Sequence, residues 1–278
     1  NNQISNSILK INERIDLNLI DVNYLLNPYN FTINIKTTNP RILLDGRSLD
    51  IKNIQTNVAL KSLINDQFII DDLEIITREL KVNDVIALLR VFQNSTKLFV
   101  LNTFIKDGFI NANINLNFDE KGNIKKNYKI EGSVKKVKLN TLNQVKLENL
   151  NFNFYINKSA YLLKKIDVKL NNIKVTSPLI EVIKKNNFFF VNGQFFNSKK
   201  NFDIENLKSI FTNLFKDTDI RKIEFSSVNN FSFNINKSLK LDKLKVESII
   251  DLKQLIVKHN DLDLKAYFPS FIEDVKLE

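Results

Sequence analysis

A chain of 278 residues with 41 Lys and Arg against 31 Asp and Glu carries a formal charge of +10, and 43% of it is hydrophobic, enough for a substantial core. It holds a single histidine, His259, and no Cys, Met or Trp. That inventory excludes disulfides, thiolate nucleophiles, Cys/His metal clusters and most mechanisms built on an imidazole base.

The lack of Met predicts a mature or excised segment of a longer protein. The longest apolar candidates, VIALLRVF (85–92) and FFFVNGQFF (188–196), fall well short of the roughly 20 residues that a spanning helix needs. A cleaved signal or an upstream anchor is compatible with this. Asn, Lys and Ile dominate the chain, as AT-rich coding would produce, so an excess of Lys is weak evidence for nucleic acid. The densest basic stretch, Lys121 to Lys138, includes Lys125, Lys126, Lys129, Lys135 and Lys136. It reads as a solvated strand face, because Arg is scarce and no aromatic residues interleave as a stacking platform. No nucleic-acid partner is expected; an anionic membrane surface is the better charged partner.

In chain order, FTINIK (31–36) alternates with Phe31, Ile33 and Ile35 on one face, a half-buried strand. Asp45-Gly46 signals a hairpin, and so does Asp107-Gly108. Asn83 is placed to cap a helix near 83–93 with a stripe of Val85, Ile86, Leu88, Leu89 and Phe92. INANINLNF (110–118) is the plainest alternation: Ile110, Ala112, Ile114, Leu116 and Phe118 on one face, four Asn residues on the other. Glu120 to Asn123 forms a turn before the next run, Tyr128 to Val134, which carries Ile130. Phe152 and Phe154 mark a further strand, as do Ile166, Val168 and Leu170. Asn171-Asn172, Asn186-Asn187 and Asn229-Asn230 are read as turns, since Asn tolerates left-handed backbone. A second helix is expected near 203–216, capped by Asp203, with Leu207, Ile210, Phe211, Leu214 and Phe215 as its stripe. Phe231, Phe233 and Ile235 complete the set of one-sided strands, about fourteen in all.

A second regularity inserts one residue into the period of two: Leu49, Ile51, Ile54; Val145, Leu147, Leu150, Phe152; Val168, Leu170, Ile173, Val175; Leu239, Leu241, Leu244, Val246. Each restores the apolar face after a bulge or tight bend. Fourteen strands at about 4.8 Å make a sheet of about 67 Å, whereas a twelve-residue helix covers only about 18 Å. Two short helices cannot roof such a sheet. Its apolar face must meet a second sheet, close into a barrel, or take a ligand, and acyl chains suit the last role.

Two segments carry a resemblance. PRILLDGRSLDIKNIQTNVALKSLINDQFIIDDLEI (Pro40 to Ile75) resembles the amino-terminal repeat of the AsmA-like family of Gram-negative envelope proteins. KDGFINANINLNFDEKGNIKKNYKIEGSVKKVKL (Lys106 to Leu139) is similar to the strand-rich region of its larger, TamB- and YhdP-type members, with Gly108, Gly122 and Gly132 at the matching turns. The resemblance implies a mainly β fold: a long twisted antiparallel sheet curled into an apolar groove, with two short amphipathic helices. It implies one elongated groove over 1–278, with an AsmA-like part over 1–105 and a continuing meander over 106–278. The Phe, Ile, Leu and Val faces named above, from Phe31 to Ile235, would line the groove. It further implies transport of phospholipid acyl chains across the periplasm between inner and outer membrane, as a bridge-like lipid transfer protein. An inner-membrane anchor, which this chain lacks, and outer-membrane proteins would be the other partners. No cofactor and no covalent chemistry are implied.

The remaining polar residues read blandly. His259 is a turn or surface histidine, and the pairs Asp71/Asp72, Asp217/Asp219 and Asp261/Asp263 lack the spacing of a calcium loop. Gly46, Gly108, Gly122, Gly132 and Gly193 form no phosphate cradle. The competing reading is a β-sandwich module of envelope assembly that offers sheet edges to partner proteins. A carbohydrate-acting enzyme is disfavoured by the absence of Trp platforms.

Overall fold

The computed structural model describes residues 15–60, 70–93, 95–119, 122–140, 146–202, 219–236, 238 and 240–258. The strands are β1 (Ile15–Asn18), β2 (Asp21–Asn27), β3 (Thr32–Thr38), β4 (Arg41–Leu44), β5 (Arg47–Ala59), β6 (Ile70–Thr77), β7 (Leu80–Lys81) and β8 (Ile105–Asn117). They continue with β9 (Lys129–Asn140), β10 (Lys146–Ile156), β11 (Ala160–Leu170), β12 (Ile173–Lys184), β13 (Phe188–Phe202), β14 (Asp219–Asn236) and β15 (Leu241–Lys258). Two helices, α1 (Val82–Phe92) and α2 (Thr96–Phe104), stand between β7 and β8.

All strand pairs are antiparallel, and the fifteen strands form one sheet that curls into an apolar groove without closing into a barrel. Neighbours along the path run β1-β4-β5-β6-β8 and then stepwise to β15. Twelve strands on that path make about 58 Å at about 4.8 Å each. The expected 67 Å is too wide because β2 and β3 share β5's edge with β1 and β4, and β7 is a two-residue stub on β8. No second sheet faces this one among the described residues.

Turn chemistry follows the Asn-rich composition in part. Asp45 (φ 48) with Gly46 (φ 78), and Asn171 (φ 44) with Asn172 (φ 67), adopt the left-handed pairs that two-residue hairpins require. The third period-breaking motif, Val168 to Val175, is therefore a hairpin and not a bulge. Asp107-Gly108 is no hairpin: it lies inside β8. Gly132 likewise lies inside β9 and Asn229-Asn230 inside β14, so of the three glycines matched to family turns only Gly122 is in one.

Gly108 belongs to a more regular feature. Gly108 (φ 140), Lys136 (φ 53), Asn149 (φ 52) and Lys165 (φ 53) occupy adjacent strands β8 to β11 in a staggered line, and a register shift accompanies each. Each left-handed residue returns the next apolar side chain to the face it would otherwise leave. The Asn151 side chain secures the line, accepting from the Lys136 amide at 2.9 Å and donating to the Asn149 carbonyl at 2.6 Å. The result is a crease across four strands that deepens the curl. Pro178 in β12 sits opposite Lys165 in register, where a missing N–H is tolerated. A Cβ on Gly108 would press on Val137, with the Val137 Cα at 2.8 Å, in a backbone region nearly closed to L residues. Gly108→Ala is expected to lower stability by about 2–3 kcal/mol, read as a lower urea midpoint.

The first helix forms where the sequence places one. Its N-cap is Lys81, however, without a side-chain cap, and the Asn83 amide instead donates to the Ile105 carbonyl at 3.4 Å. The predicted helix at 203–216 and His259 lie outside the described residues. The second observed helix, α2, has no polar face: Leu98, Phe99, Val100, Leu101 and Phe104 surround it, so no stripe announces it. Ser95 caps it, accepting from the Leu98 amide at 3.3 Å. Ile86 is the buried residue of α1 and packs against Ile105, Val134, Val137 and Phe154, while Val85, Leu88 and Val91 meet Leu44, Leu49 and Leu80. The helices thus fill the end of the groove below β5 to β10 and leave the rest of the apolar face to the sheet.

Candidate functional site

In an antiparallel sheet, cross-strand partners share a face. Following them sideways gives an apolar row: Ile54, Ile75, Ile114, Ile130, Ile156, Tyr161, Val182, Val191 and Phe233 are each opposite the next. Thr37 and Val22 extend it to β2. The row crosses eleven strands, about 48 Å along the groove. No charged residue interrupts it.

A second row lies beneath: Ala112, Gly132, Phe154, Leu163, Ile180, Gly193, Phe231 and Val246. Its glycines have a packing cause. A Cβ on Gly132 would meet the Asn111 carbonyl oxygen and lie 2.7 Å from the Phe154 ring, and one on Gly193 would lie 2.9 Å from the Phe231 ring. Each ring therefore lies over bare backbone and levels the floor of the groove. Aromatic residues gather at the β13–β14 end, where Phe231 stacks on Phe233 and tilts against Phe195, centroids 5.9 Å apart in both pairs.

Lower still, the lining changes. Asn197, Ser227 and Asn229 are buried on this same face and bond to one another: the Ser227 hydroxyl donates to the Asn197 side-chain oxygen, and the Asn229 amide donates to Ser227 Oγ at 2.8 Å. Ser177, also buried beside them, has no hydrogen-bond partner among the described residues. A continuous apolar surface is thus confined to the two upper rows.

Of the residues expected to line the groove, Ile33, Ile35, Ile110, Ile114, Leu116, Ile130, Phe152, Phe154, Ile166, Val168, Leu170, Phe231, Phe233 and Ile235 share this face by register. Phe118 lies one bridge beyond β8, opposite Ile124. Phe31 is the correction. It sits in the β2–β3 turn with φ 51 and is 72% exposed, because the left-handed turn breaks the alternation there. The sequence reading missed Tyr161, Leu163, Ile180, Val182 and Val191. Apolar residues on both faces, such as Leu162, Leu179 and Phe190, hide their alternation.

The opposite face carries Asn111, Asn113, Asn115, Glu131, Asn153, Glu181 and Asn192, with ladders such as Asn34 to Asn57 at 2.9 Å and Asn57 to Asp72 at 2.7 Å. Asp72 is thereby accounted for as a strand residue. No cluster of His, Cys, Asp or Glu suited to a metal occurs among the described residues, and no described helix is long and apolar enough to cross a membrane. No family model, curated protein or solved structure matches this chain.

Proposed function

We propose that the chain binds phospholipid by its acyl chains along the two apolar rows and lets them slide, as one segment of an AsmA-like conduit between inner and outer membrane. The observation that carries this reading is the row from Ile54 to Phe233, unbroken by charge and roofed by no described element except α1 and α2 at its lower end. Water on such a face is costly, at about 0.8 kcal/mol per methylene that could have been covered, whereas a tail passing from bilayer to groove exchanges one apolar surround for another. Movement then needs no covalent step. The periplasmic setting rests on the resemblance of Pro40 to Ile75 and Lys106 to Leu139 to that family.

The test is native mass spectrometry of the purified chain. Adducts of phospholipid mass that dissociate with collisional heating are the expected result, and a clean apo spectrum from membranes-rich lysate would remove the proposal. A second reading is favoured by β15. Leu241, Leu244, Val246, Ile249, Ile250 and Leu252 are all at least half exposed, and the long strand has one unpaired side among the described residues. Such an edge suits strand addition by a partner protein of the envelope.

A further inference from the structure

From β8 to β15 the hairpin turns along the upper rim, next to the continuous row, share one chemistry, whereas the β2–β3 turn on the same rim is uncharged. The β8–β9 loop carries Lys125 and Lys126, the β10–β11 turn Lys158, the β12–β13 turn Lys185, and the approach to β15 Lys240, all exposed. None of these five has an ion-pair partner among the described residues. Asp119, the acid described in these turns, is engaged by Asn123, whose amide N–H reaches its carboxylate at 2.8 Å.

Elsewhere some of the cations are matched. Arg47 pairs with Asp84 at 3.0 Å, Lys135 with Glu79 at 3.3 Å and Lys174 with Asp167 at 3.0 Å, all in the lower half of the sheet. Of the described lower turns, Asn171-Asn172 is uncharged and Asp45-Gly46 sets Asp45 beside Arg47. The line of upper Lys turns has a definite reach. Successive upper turns are two strands apart, about 9.6 Å, close to the screening length of about 8 Å at physiological salt, so their potentials merge into one rail. From Ile156 to Lys158 is two residues and from Val182 to Lys185 three, about 7–10 Å along the strand. That distance separates an apolar wall from a line of ammonium groups, as an acyl tail is separated from its phosphate.

We propose that this rim selects the cargo: the groove takes phospholipids whose head group carries net negative charge in preference to zwitterionic ones, with the phosphate region seated at the upper Lys turns. The inference rests on the acyl-binding reading above and adds head-group class to it.

The test loads the purified chain from vesicles of equimolar phosphatidylglycerol and phosphatidylcholine, then measures total bound lipid and the ratio of the two head groups by mass spectrometry. The wild type should retain phosphatidylglycerol about tenfold over phosphatidylcholine at low salt, falling toward parity as salt rises. Substituting Lys125, Lys126, Lys158, Lys185 and Lys240 with Gln should bring the ratio to parity while total lipid stays near wild type. A control with the same charge change, Lys36, Lys52, Lys81, Lys138 and Lys169 to Gln, should keep the preference. The single variants Lys158→Gln and Lys185→Gln should each give a partial loss, which guards against misfolding of the fivefold variant. An unchanged ratio in the rim variant, or an equal loss in the control, overturns the inference while leaving acyl binding intact. If the wild type binds no lipid at all, the acyl reading fails and takes this one with it. Inorganic phosphate should act only as salt of the same ionic strength does; displacement beyond that would mark a free-anion site and overturn the cargo assignment.

Discussion

The double variant Ile114→Asp, Val182→Asp is expected to lose phospholipid binding by roughly 100-fold while remaining folded. The two positions lie in the same apolar row, on β8 and β12, and both are half-buried, so each carboxylate can stay hydrated in the empty groove. A tail laid along the row must then leave the wall around each charge. Withholding about four methylenes from apolar cover costs about 3 kcal/mol, which sets the factor. Desolvating the carboxylates instead would cost more. Ile114→Leu with Val182→Ile should bind as the wild type does. Ile249→Asp should also be neutral, since Ile249 is 74% exposed on the opposite face, cross-strand from Val228. Wild-type lipid content in the Asp double variant would mean that tails, if bound, run elsewhere.

Gly132→Val should be among the most destabilising single substitutions, by about 3 kcal/mol, seen as a lower urea midpoint with little change in slope. The new Cβ meets main-chain oxygen of Asn111 and stands 3.0 Å from the Ala112 Cα, both backbone atoms that cannot rotate away. It also strikes the Phe154 ring, which is 8% exposed and belongs to the cluster with Ile86, Ile105, Val134 and Val137. Moving that ring loosens the seat of α1. Trimming the ring should therefore rescue in part: Gly132→Ala with Phe154→Leu should lose less than the two single changes summed, because the two sites share one contact. Strict additivity would show that Phe154 does not rest on that glycine.

What the sequence disclosed was what depends on local parity. Ile110 to Phe118 alternates without exception, and its strand, its two faces and its Asn ladders are all where the pattern puts them. Breaks in the period at Leu147 to Leu150 and Leu241 to Leu244 are bulges at Asn149 and Lys243, again local. Three things were not local. Asp-Gly at 107–108 has the composition of a hairpin, yet a turn there would forfeit the pairing of β8 with β9 on both sides, and the long ladder wins. The crease emerges only when four strands are aligned, since Lys136 and Lys165 are poor candidates for left-handed backbone by residue type. The row from Ile54 to Phe233 is a property of register between strands as distant in sequence as β6 and β8, which single-strand patterns do not encode. In sequence the lysines mark only one solvated stretch at 121–138; the strand pairing is what brings Lys158, Lys185 and Lys240 to the same rim.

The crease has a consequence for how such a molecule can change size. Within β8 to β11 each strand carries its own left-handed residue along the crease, so each hairpin arrives with its curvature built in. A duplicated hairpin inserted between neighbours would copy bend, greasy stripe and lysine tip together, and would extend the path by about 9.6 Å without altering its bore. Length can therefore be tuned in two-strand steps, by tandem copying of gene segments, with the cross-section held constant.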